Sequence, residues 1–474
     1  MKWGLNARSL AAMAALVLCG AAQAQTAPAV APPADEATRT LARDIFQHVI
    51  AMDTSVEGHR VPEMAAYLAG LFRNAGFPEA DIHIVPVGDT ASLIVRYRGD
   101  GSGGRPIILM AHMDVVTAHR SDWQRDPFTL VEENGYFYGR GSSDDKAMAA
   151  TWVDLMVRLK RENYRPRRDI RMALTCGEET SDRTNGVEYL IAHNRQWVQA
   201  DFALNEGAGG LLAEDGHRIA LNVQAGEKIH QVYTLEVTNP GGHSSRPRPD
   251  NAIYQLARAL ERLSAYQFPV ELTPVTRTYF ERMAPIVGGE MGQHMAALAR
   301  DPSNAAEQAA VASDPSNNSI MRTTCVATML EAGHAANALP QRARATLSCR
   351  VLQGHTPEEV QAALQTAIGD AEVHVEIVRR RDGSQAPQLT RQIMGPIEHA
   401  AARMWPGTPI IPTMTPGATD GRYLNTAGIP TYGVSGMFST PGETNAHGLN
   451  EKIRVRSLYE GRDFLEAIVR EYAR

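Results

Sequence analysis

Apolar side chains recur along the chain either in short continuous runs or at helical spacing. One face of a first predicted helix carries six of them: Val61, Met64, Tyr67, Leu68, Leu71 and Phe72. Short apolar runs predict four strands: Ala91–Tyr97, Pro106–Ala111, Ile170–Cys176 and Asp201–Asn205. A second helix, from about Asp145 to Arg161, separates the second strand from the third. Helices that alternate with short strands predict an α/β sheet covered on both faces.

The middle of the chain has a different order of elements. Six segments follow one another as strand, helix, strand, strand, helix and strand: Ile229–Val237, Asp250–Leu263, Ile320–Leu330, Arg342–Val351, Pro357–Ile368 and Glu372–Val378. This β-α-β-β-α-β order is the ferredoxin-like split motif. Residues 265–318 form an insertion of helical and loop character within it. The sequence therefore predicts an α/β domain, residues 36–225 and 385–474, into which a smaller domain of residues 226–384 is inserted.

The first residues have the features of a secretory signal peptide. Lys2 and Arg8 precede an apolar run from Leu10 to Leu18, and residues 22–24, Ala-Gln-Ala, fit an A-x-A cleavage site. We expect residues 1–24 to be removed after Ala24 and residues 25–35 to form a Pro/Ala linker. No later stretch approaches the ~20 apolar residues of a membrane-spanning helix. The prediction is an exported chain, periplasmic or secreted, without stable membrane insertion.

Composition and charge exclude several classes of protein. The chain has 474 residues, of which 43% are hydrophobic and 6% aromatic, and this excludes a disordered polypeptide. Lys plus Arg number 47 against 53 Asp plus Glu, a formal net charge of −6, and no long basic run occurs. A nucleic acid is therefore not expected as a partner.

Polar, potentially reactive side chains follow the predicted strands of the larger domain. Four segments at strand-to-helix junctions carry them: Ala111–Asp114, Gly139–Lys146, Cys176–Glu179 and Asn205–Gly207. An adjacent pair such as Glu178 and Glu179 is, taken alone, usually solvated surface charge. Doubly wound sheets bind ligands at these junctions. Four such junctions together therefore favour one shared site.

A metal centre best explains histidine and several carboxylates at one edge of a sheet. Neutral imidazole and carboxylate are suitable ligands for zinc, which leaves a water for chemistry. Motifs for other nucleophiles are missing. The segment Gly433–Met437 fails the G-x-S-x-G pattern at its fifth position, and neither an H-E-x-x-H helix nor a phosphate loop occurs. Cys176 belongs to an apolar strand and is interpreted as a buried thiol.

These motifs resemble, from about Asp53 to the C-terminus, the dizinc exopeptidase and aminoacylase family. That family includes carboxypeptidase G, succinyl-diaminopimelate desuccinylase and carboxypeptidase S. His-x-Asp, Gly-Arg-Gly-x-x-Asp-x-Lys, Glu-Glu, a downstream Glu and a late His occur in the family's order. The resemblance implies a zinc-binding α/β catalytic domain with an inserted ferredoxin-like lid, in agreement with the pattern of elements.

The resemblance also implies the metal ligands. Asp144 would bridge two Zn²⁺ ions per subunit, although other divalent metals are possible. His112 and Glu206 would complete one site, and Glu179 and His447 the other. His447 lies in the segment Ala-His-Gly-Leu-Asn-Glu, which fits the family's C-terminal pattern.

Further catalytic and substrate-binding roles follow from the same resemblance. Glu178 would be the general base, and Asp114 would accept the free ring N–H of His112, which fixes the nitrogen that faces the metal. Four residues would bind substrate: His243, Asn337, Arg350 and Arg422. The last two suit a terminal carboxylate because a guanidinium can pair with both oxygens, but either could instead be a structural ion-pair partner.

Three functions remain open at this stage. The first is a zinc carboxypeptidase or dipeptidase that acts on short peptides, and the second is an N-acyl-amino-acid amidohydrolase; both substrates carry a free carboxylate. The third is a non-catalytic binding protein of the same fold, which the intact set of ligands and base argues against. Pocket shape sets the choice between the first two.

Two expectations concern the lid. We expect any homodimer to form through it, because His243 must reach an active site in another domain and the family often achieves this across a two-fold interface; the insertion at 265–318 could instead cover that surface. The second expectation follows from register. If the strands 320–330 and 342–351 form an antiparallel pair with a loop near Asn337, Cys325 lies opposite Cys349 and a disulfide is possible in an exported protein.

Overall fold

The computed structural model describes residues 36–180, 183–381, 383 and 385–474. The predicted signal peptide and linker lie outside the described residues. No helix in the described part of the chain is both long enough and apolar enough to cross a bilayer.

The larger sheet has ten strands. Nine of them are neighbours in the following order: Ile82–Val87, Thr90–Tyr97, Ile170–Thr175, Ile107–His112, Phe202–Asn205, Thr431–Gly433, Arg218–Glu227, Gly210–Leu212 and Phe438–Ser439. The tenth, Ile410–Thr415, pairs in parallel with Arg218–Glu227. The strands 107–112, 170–175, 202–205 and 431–433 are parallel to one another, so their carboxyl ends share one edge of the sheet.

Helices cover both faces of this sheet, as the alternation of elements predicts. Within the strand Ile107–His112, Leu109 faces the larger core and Met110 the smaller core on the opposite face, because successive strand residues point to opposite sides. Five helices outside the insertion contribute to the larger core: Glu36–Ile50, Val61–Asn74, Lys146–Arg161, Arg391–Met404 and Val455–Tyr472. Three shorter helices cover the other face: Gly186–His193, Arg195–Val198 and Gly421–Thr426. Two 3-10 turns connect elements: Glu79–Asp81 and Arg120–Asp122.

The lid is a four-stranded antiparallel sheet with two helices. Its strands are neighbours in the order Thr324–Ala332, Arg342–Val351, Ile229–Thr238 and His374–Ile377. The helices are Ala252–Ala265 and Pro357–Ile368, and their apolar faces share a separate core with this sheet. The ferredoxin-like prediction is confirmed. One boundary was wrong: the strand expected from Ile320 begins at Thr324, because Pro315 at the first turn and the Asp314 cap make Pro315–Met321 a helix.

The insertion packs against the catalytic domain and not against the lid core. It forms four helices: Pro274–Val287, Gly289–Arg300, Ala305–Val311 and Pro315–Met321. Phe280 and Leu298 are fully buried within the larger core, and Arg282 donates to the carbonyl oxygen of Ile410 at 2.7 Å. By its contacts the insertion therefore extends the catalytic domain, although its sequence lies inside the lid. It leaves the outer strand Thr324–Ala332 uncovered, since Val326, Met329 and Leu330 are exposed.

The expected disulfide is present. Cys325 lies opposite Cys349 in the antiparallel pair, and their sulfur atoms are bonded. The bond fastens the edge strand of the lid to its neighbour. Cys176 is a buried free thiol whose pKa burial raises to about 12, which excludes it as a nucleophile at neutral pH.

Candidate dinuclear metal site

The parallel strands bring three of the four polar segments to one edge of the sheet. The strand that ends at His112 pairs in register with the one that ends at Thr175, and Phe202–Asn205 lies on its other side. The segments that follow these strands carry Glu178, Glu179 and Glu206. The structure thus brings the junctions together as the sequence predicts.

One group of ligands surrounds the first oxygen of Asp144. Nε2 of His112 lies 3.0 Å from Oδ1 of Asp144 and 3.6 Å from Oε2 of Glu206. The ring of His112 is buried, with 1% of its side chain exposed. All three ligand atoms lie within 4.8 Å of one another, a spacing that suits a single cation.

A second group surrounds the other oxygen of the same carboxylate. Nε2 of His447 lies 3.1 Å from Oδ2 of Asp144 and 3.0 Å from Oε2 of Glu179. His447 comes from the C-terminal part of the chain and is about half exposed, whereas Glu179 is nearly buried. Asp144 therefore directs one oxygen at each histidine, as a carboxylate that bridges two cations must.

Protons on the two histidines compete with cations for this site. Hydrogen bonds with Asp144 and Glu179 raise the pKa of His447 to about 10. Burial lowers the pKa of His112, but Glu206 and Asp144 outweigh it and place that pKa well above its ordinary value. A metal ion must displace both protons, so its affinity should rise with pH.

Buried oxygens without partners support the metal interpretation. Oε1 of Glu179 and Oε1 of Glu206 are buried and accept no hydrogen bond from any residue that the structure describes. Isolated buried carboxylate oxygens are costly unless they are paired or coordinate a metal. The residues present therefore fit a pair of divalent cations.

Glu178 lies beside the two ligand groups but belongs to neither of them. Its carboxylate makes no hydrogen bond with the described residues. Burial raises the pKa of Glu178 to about 9, and the neighbouring Glu206 and Glu179 act in the same direction. Two nearby divalent charges would favour the ionised form, which a general base requires. A bend of the backbone separates the positions of Glu178 and Glu179 from the strand, because the strand ends at Thr175 and Gly177 has a φ of 73°.

The predicted role of Asp114 needs correction. Nδ1 of His112 bonds to the backbone carbonyl oxygen of Asp114 at 2.9 Å, whereas the Asp114 carboxylate lies 3.9 Å away. The carboxylate instead accepts the backbone N–H of Glu179 at 3.0 Å. Asp114 thus orients one ligand with its main chain and positions another with its side chain. The carbonyl bond still leaves Nε2 of His112 facing the metal site.

Glu451 is a site residue to which the sequence analysis gave no role. It is completely buried and accepts backbone N–H groups of Gly141, Ser143 and Asp144 at 2.7 to 3.0 Å. It also pairs with Arg140 at 2.7 Å. This carboxylate therefore holds the segment that presents Asp144. Its only sequence signal was its place four residues after His447.

Arg140 links the same segment to His447. Its Nη2 donates to the carbonyl oxygen of Gly448 at 3.0 Å. His447 has a φ of 62°, a left-handed conformation that is unfavourable for a residue with a Cβ and needs such support. The Arg140–Glu451 pair thus positions both metal-ligand segments.

Asp420 is a second residue whose role the sequence did not reveal. Its buried carboxylate accepts the hydroxyl of Thr175 and the side-chain amide of Asn185, both at 2.5 Å. Thr175 ends the strand that leads to Glu178. Asp420 therefore connects the segment 416–422 to the bend that leads to Glu178.

The lid brings two of the predicted substrate-binding residues together. His243 pairs with Ala338 in a two-stranded ribbon of Gly242–His243 and Ala338–Leu339, and Ser244 donates to the carbonyl oxygen of Asn337 at 3.0 Å. His243 and Asn337 are both exposed. The backbone N–H of Ser245 donates to Nδ1 of His243 at 3.1 Å, so a neutral ring carries its proton on Nε2 and presents a donor outward. No described contact within the chain joins this ribbon to the metal ligands.

The other two predicted residues belong to different domains. Arg350 lies in the lid strand Arg342–Val351, and Arg422 begins a turn of helix in the catalytic domain. Burial lowers the pKa of Arg350, and the positive charge of Arg422 lowers it further. The charges of the two guanidinium groups therefore influence each other across the domain boundary.

Comparisons with known proteins agree with this geometry. The family model "Peptidase family M20/M25/M40" matches residues 108–471. The mouse protein named N-fatty-acyl-amino acid synthase/hydrolase PM20D1 is 27% identical over 386 residues, which cover 77% of this chain and 74% of that protein. A Dictyostelium discoideum protein named probable carboxypeptidase S-like 2 is 25% identical, with 80% and 74% covered.

A solved structure has the same fold. The M20 family metallo-carboxypeptidase from Sulfolobus solfataricus superimposes with a TM-score of 0.68 at 20% identity, covering 93% of this chain and 99% of that one. The resemblance read from the motifs is confirmed, and so is the α/β fold with its inserted lid. The chain belongs to the M20/M25/M40 peptidase family and is an enzyme of the hydrolase type.

Proposed function

We propose that this protein is a two-zinc exopeptidase, a carboxypeptidase or dipeptidase, that hydrolyses an amide bond in short peptides. The observation that carries the proposal is the carboxylate of Asp144, whose two oxygens face His112 and His447 separately. A site for a single metal would not require the second oxygen of Asp144 to face a second histidine. Imidazole and carboxylate ligands favour zinc, although other divalent metals fit the same donors.

The chain's own residues would perform the remaining chemistry. When bound by the two ligand groups, zinc would supply Lewis acidity to the amide carbonyl and lower the pKa of a water molecule. Glu178 takes a proton from the attacking water and returns it to the leaving nitrogen. Nε2–H of His243 is available to polarise the carbonyl oxygen when the lid closes. Arg350 and Arg422 hold the terminal carboxylate, which places the scissile bond one residue from the chain end.

The second candidate is an N-acyl-amino-acid amidohydrolase. Its support is the mouse relative, which is named an N-fatty-acyl-amino acid synthase/hydrolase. Both reactions share the same amide chemistry and the same carboxylate on the leaving amino acid. They differ only in the group on the acyl side of the bond.

Export to the periplasm or the medium is part of the proposal. The N-terminal sequence carries the features of a signal peptide. The Cys325–Cys349 disulfide is typical of an oxidising compartment. Peptide scavenging is a function that suits this location.

A substrate panel tests the proposed activity. Zinc-loaded protein is assayed on dipeptides, on N-acyl amino acids and on the same compounds with an amidated C-terminus. We expect hydrolysis of the free acids and a loss on the order of 100-fold in kcat/KM upon amidation, because the arginines then lose an anionic partner. Equal rates on the free and the amidated forms would contradict the exopeptidase assignment. Preference for dipeptides over N-acyl amino acids, or the reverse, decides between the two candidates.

We further propose a homodimer through the edge strand Thr324–Ala332 of the lid. Among the described residues this strand has no neighbour on one side, and Val326, Met329 and Leu330 are each about 60% exposed. An open edge that carries apolar side chains favours pairing with a second copy. Such a dimer would let the exposed His243 reach the partner's cleft.

Light scattering on the mature chain tests the dimer. We expect twice the chain mass at micromolar concentration and a monomer for the Met329→Asp/Leu330→Asp variant, because a charge at the interface would be buried without a partner. Val287→Asp is a matched control, since Val287 is an exposed apolar residue of the insertion. A wild-type monomer, or a variant that stays dimeric, would refute the proposal.

A further inference from the structure

A groove of about 560 Å³ opens along the lid core, between the helix Ala252–Ala265 and the edge strand Thr324–Ala332. Most of its lining is apolar and includes four leucines: Leu260, Leu263, Leu347 and Leu364. The other lining residues that are neither apolar nor aromatic are neutral, with the exception of Arg322. The volume lies within the roughly 300 to 1,000 Å³ of small-molecule sites.

The groove lies on the face of the lid sheet opposite to Arg350. Leu347 lines the groove and belongs to the lid core. Arg350 follows Leu347 by three residues in a strand that pairs in continuous register with Ile229–Thr238. Successive strand residues point to opposite sides, so the sheet separates the groove from the proposed substrate-binding arginine.

Arg322 is the one charged residue among the described residues that line the groove. It is only 7% exposed and makes no ion pair within the described part of the chain. Burial lowers the pKa of Arg322, and no carboxylate among the described residues acts in the opposite direction. A buried charge is costly unless it is paired, so this guanidinium is suited to an anion that the groove would bring to it.

The guanidinium of Arg322 lies at the wall of the groove with hydrogen-bond donors to spare. Its Nη1 donates to Oε1 of Gln267 at 2.8 Å and to the carbonyl oxygen of Phe268 at 3.0 Å, and both of these residues also line the groove. The buried Nε–H of Arg322 has no acceptor among the described residues. Two neutral acceptors therefore orient the guanidinium without neutralising its charge.

Lys228 fixes the backbone at Arg322. This fully buried lysine donates to the carbonyl oxygens of Ser319 and Arg322, both at 2.7 Å, and to the hydroxyl of Thr324 at 3.1 Å. Arg322 is therefore held beside the groove by contacts of its main chain as well as its side chain.

A positive group beside a surface of leucines is complementary to an anionic amphiphile. A small anion would leave the leucines uncovered, and a neutral lipid would leave the guanidinium unpaired. We propose that the groove binds the anion of a fatty acid, with the carboxylate at Arg322 and the hydrocarbon chain along the leucines. This site is separate from the metal ligands and does not depend on the proposed activity.

Calorimetry on the zinc-loaded mature chain tests the ligand class. Octanoate, decanoate and dodecanoate are titrated at concentrations at which they remain monomeric. We expect Kd to fall by about 10-fold for each two added carbons, because each buried methylene contributes about the same free energy. Decanamide has the same chain without the charge and should bind about 10-fold more weakly than decanoate, or worse.

Two pairs of variants test the place of binding. Arg322→Gln should weaken decanoate by about 10-fold or more and leave decanamide nearly unchanged. Arg262→Gln removes an exposed charge of the nearby helix that does not line the groove, and it should bind decanoate as the wild type does. Ser264→Trp keeps Arg322 but fills the groove from its exposed rim, so it should abolish binding. Its control, Ala257→Trp, places the same ring on an exposed position of that helix outside the groove.

Several results would overturn the inference. These are an absence of fatty-acid binding to the wild type, equal affinity for decanoate and decanamide, and decanoate binding that survives both Arg322→Gln and Ser264→Trp. Decanoate binding that is lost only in Arg350→Gln would place the ligand in the proposed substrate site instead. If no fatty acid binds while Ser264→Trp halves the mass seen by light scattering, the groove is a contact between two copies of the chain.

Discussion

Glu178→Gln is expected to lower kcat by about 10² to 10⁴ while the protein keeps its metal. The amide has the size of the carboxylate but cannot accept a proton from the attacking water. Glu178 makes no hydrogen bond with the described residues, and it belongs to neither group of metal ligands. Removal of its charge should therefore leave both metal positions intact. The measurement is kcat beside zinc stoichiometry for the purified variant.

Glu179→Gln is the matched comparison, since it makes the same change one residue away. Oε2 of Glu179 lies 3.0 Å from Nε2 of His447, within the second ligand group. This variant should lose zinc at one site and regain part of its activity at high zinc concentration. If Glu178→Gln lost zinc and Glu179→Gln kept both ions without turnover, the two roles would be reversed. If neither variant lost activity, the assigned site would be wrong.

Removal of metal by a chelator should abolish hydrolysis and lower Tm by about 5 °C or more. Asp144, Glu178, Glu179 and Glu206 are crowded carboxylates, and two of them have buried oxygens without a hydrogen bond in the described part of the chain. Divalent cations would compensate this charge in the folded state only, so their loss destabilises the fold. Differential scanning calorimetry and an activity assay on the same sample measure both effects.

The control for this experiment is a zinc-saturated chelator, which should change neither the hydrolytic activity nor Tm. Zinc added back to the treated protein should restore activity and Tm, whereas Mg²⁺ should not, because magnesium disfavours imidazole ligands. Full activity in protein shown to be free of metal would contradict the account.

Local sequence patterns predicted which side chains the fold brings together at the candidate site. His112, Glu178, Glu179 and Glu206 each follow a strand whose apolar run is evident, and parallel strands place those ends at one edge. The lid was also predictable, because each of its helices and strands has its own hydrophobic period and is bounded by turn residues. The cysteine register was obtained by the same reasoning, from two strands and the loop between them.

Features that depend on distant contacts were not predictable. Thr175 and Asp420 are 245 residues apart, and the contacts of Glu451 with the Asp144 segment span about 310 residues. No local pattern distinguishes these carboxylates from surface charge. The packing of the insertion was not predictable for a similar reason, since its helical and loop character does not reveal that Phe280 is buried in the larger core. The carboxylate of Asp114 was assigned to His112 because sequence spacing does not reveal that the main-chain carbonyl takes that bond.

The central claim is that Asp144 bridges two metal ions, one beside His112 and Glu206 and the other beside Glu179 and His447. Anomalous diffraction at the zinc edge from crystals of the zinc-loaded protein tests it most directly. The account predicts two peaks about 3.5 to 4 Å apart, one next to each oxygen of Asp144. A single peak, or peaks remote from Asp144, would contradict it.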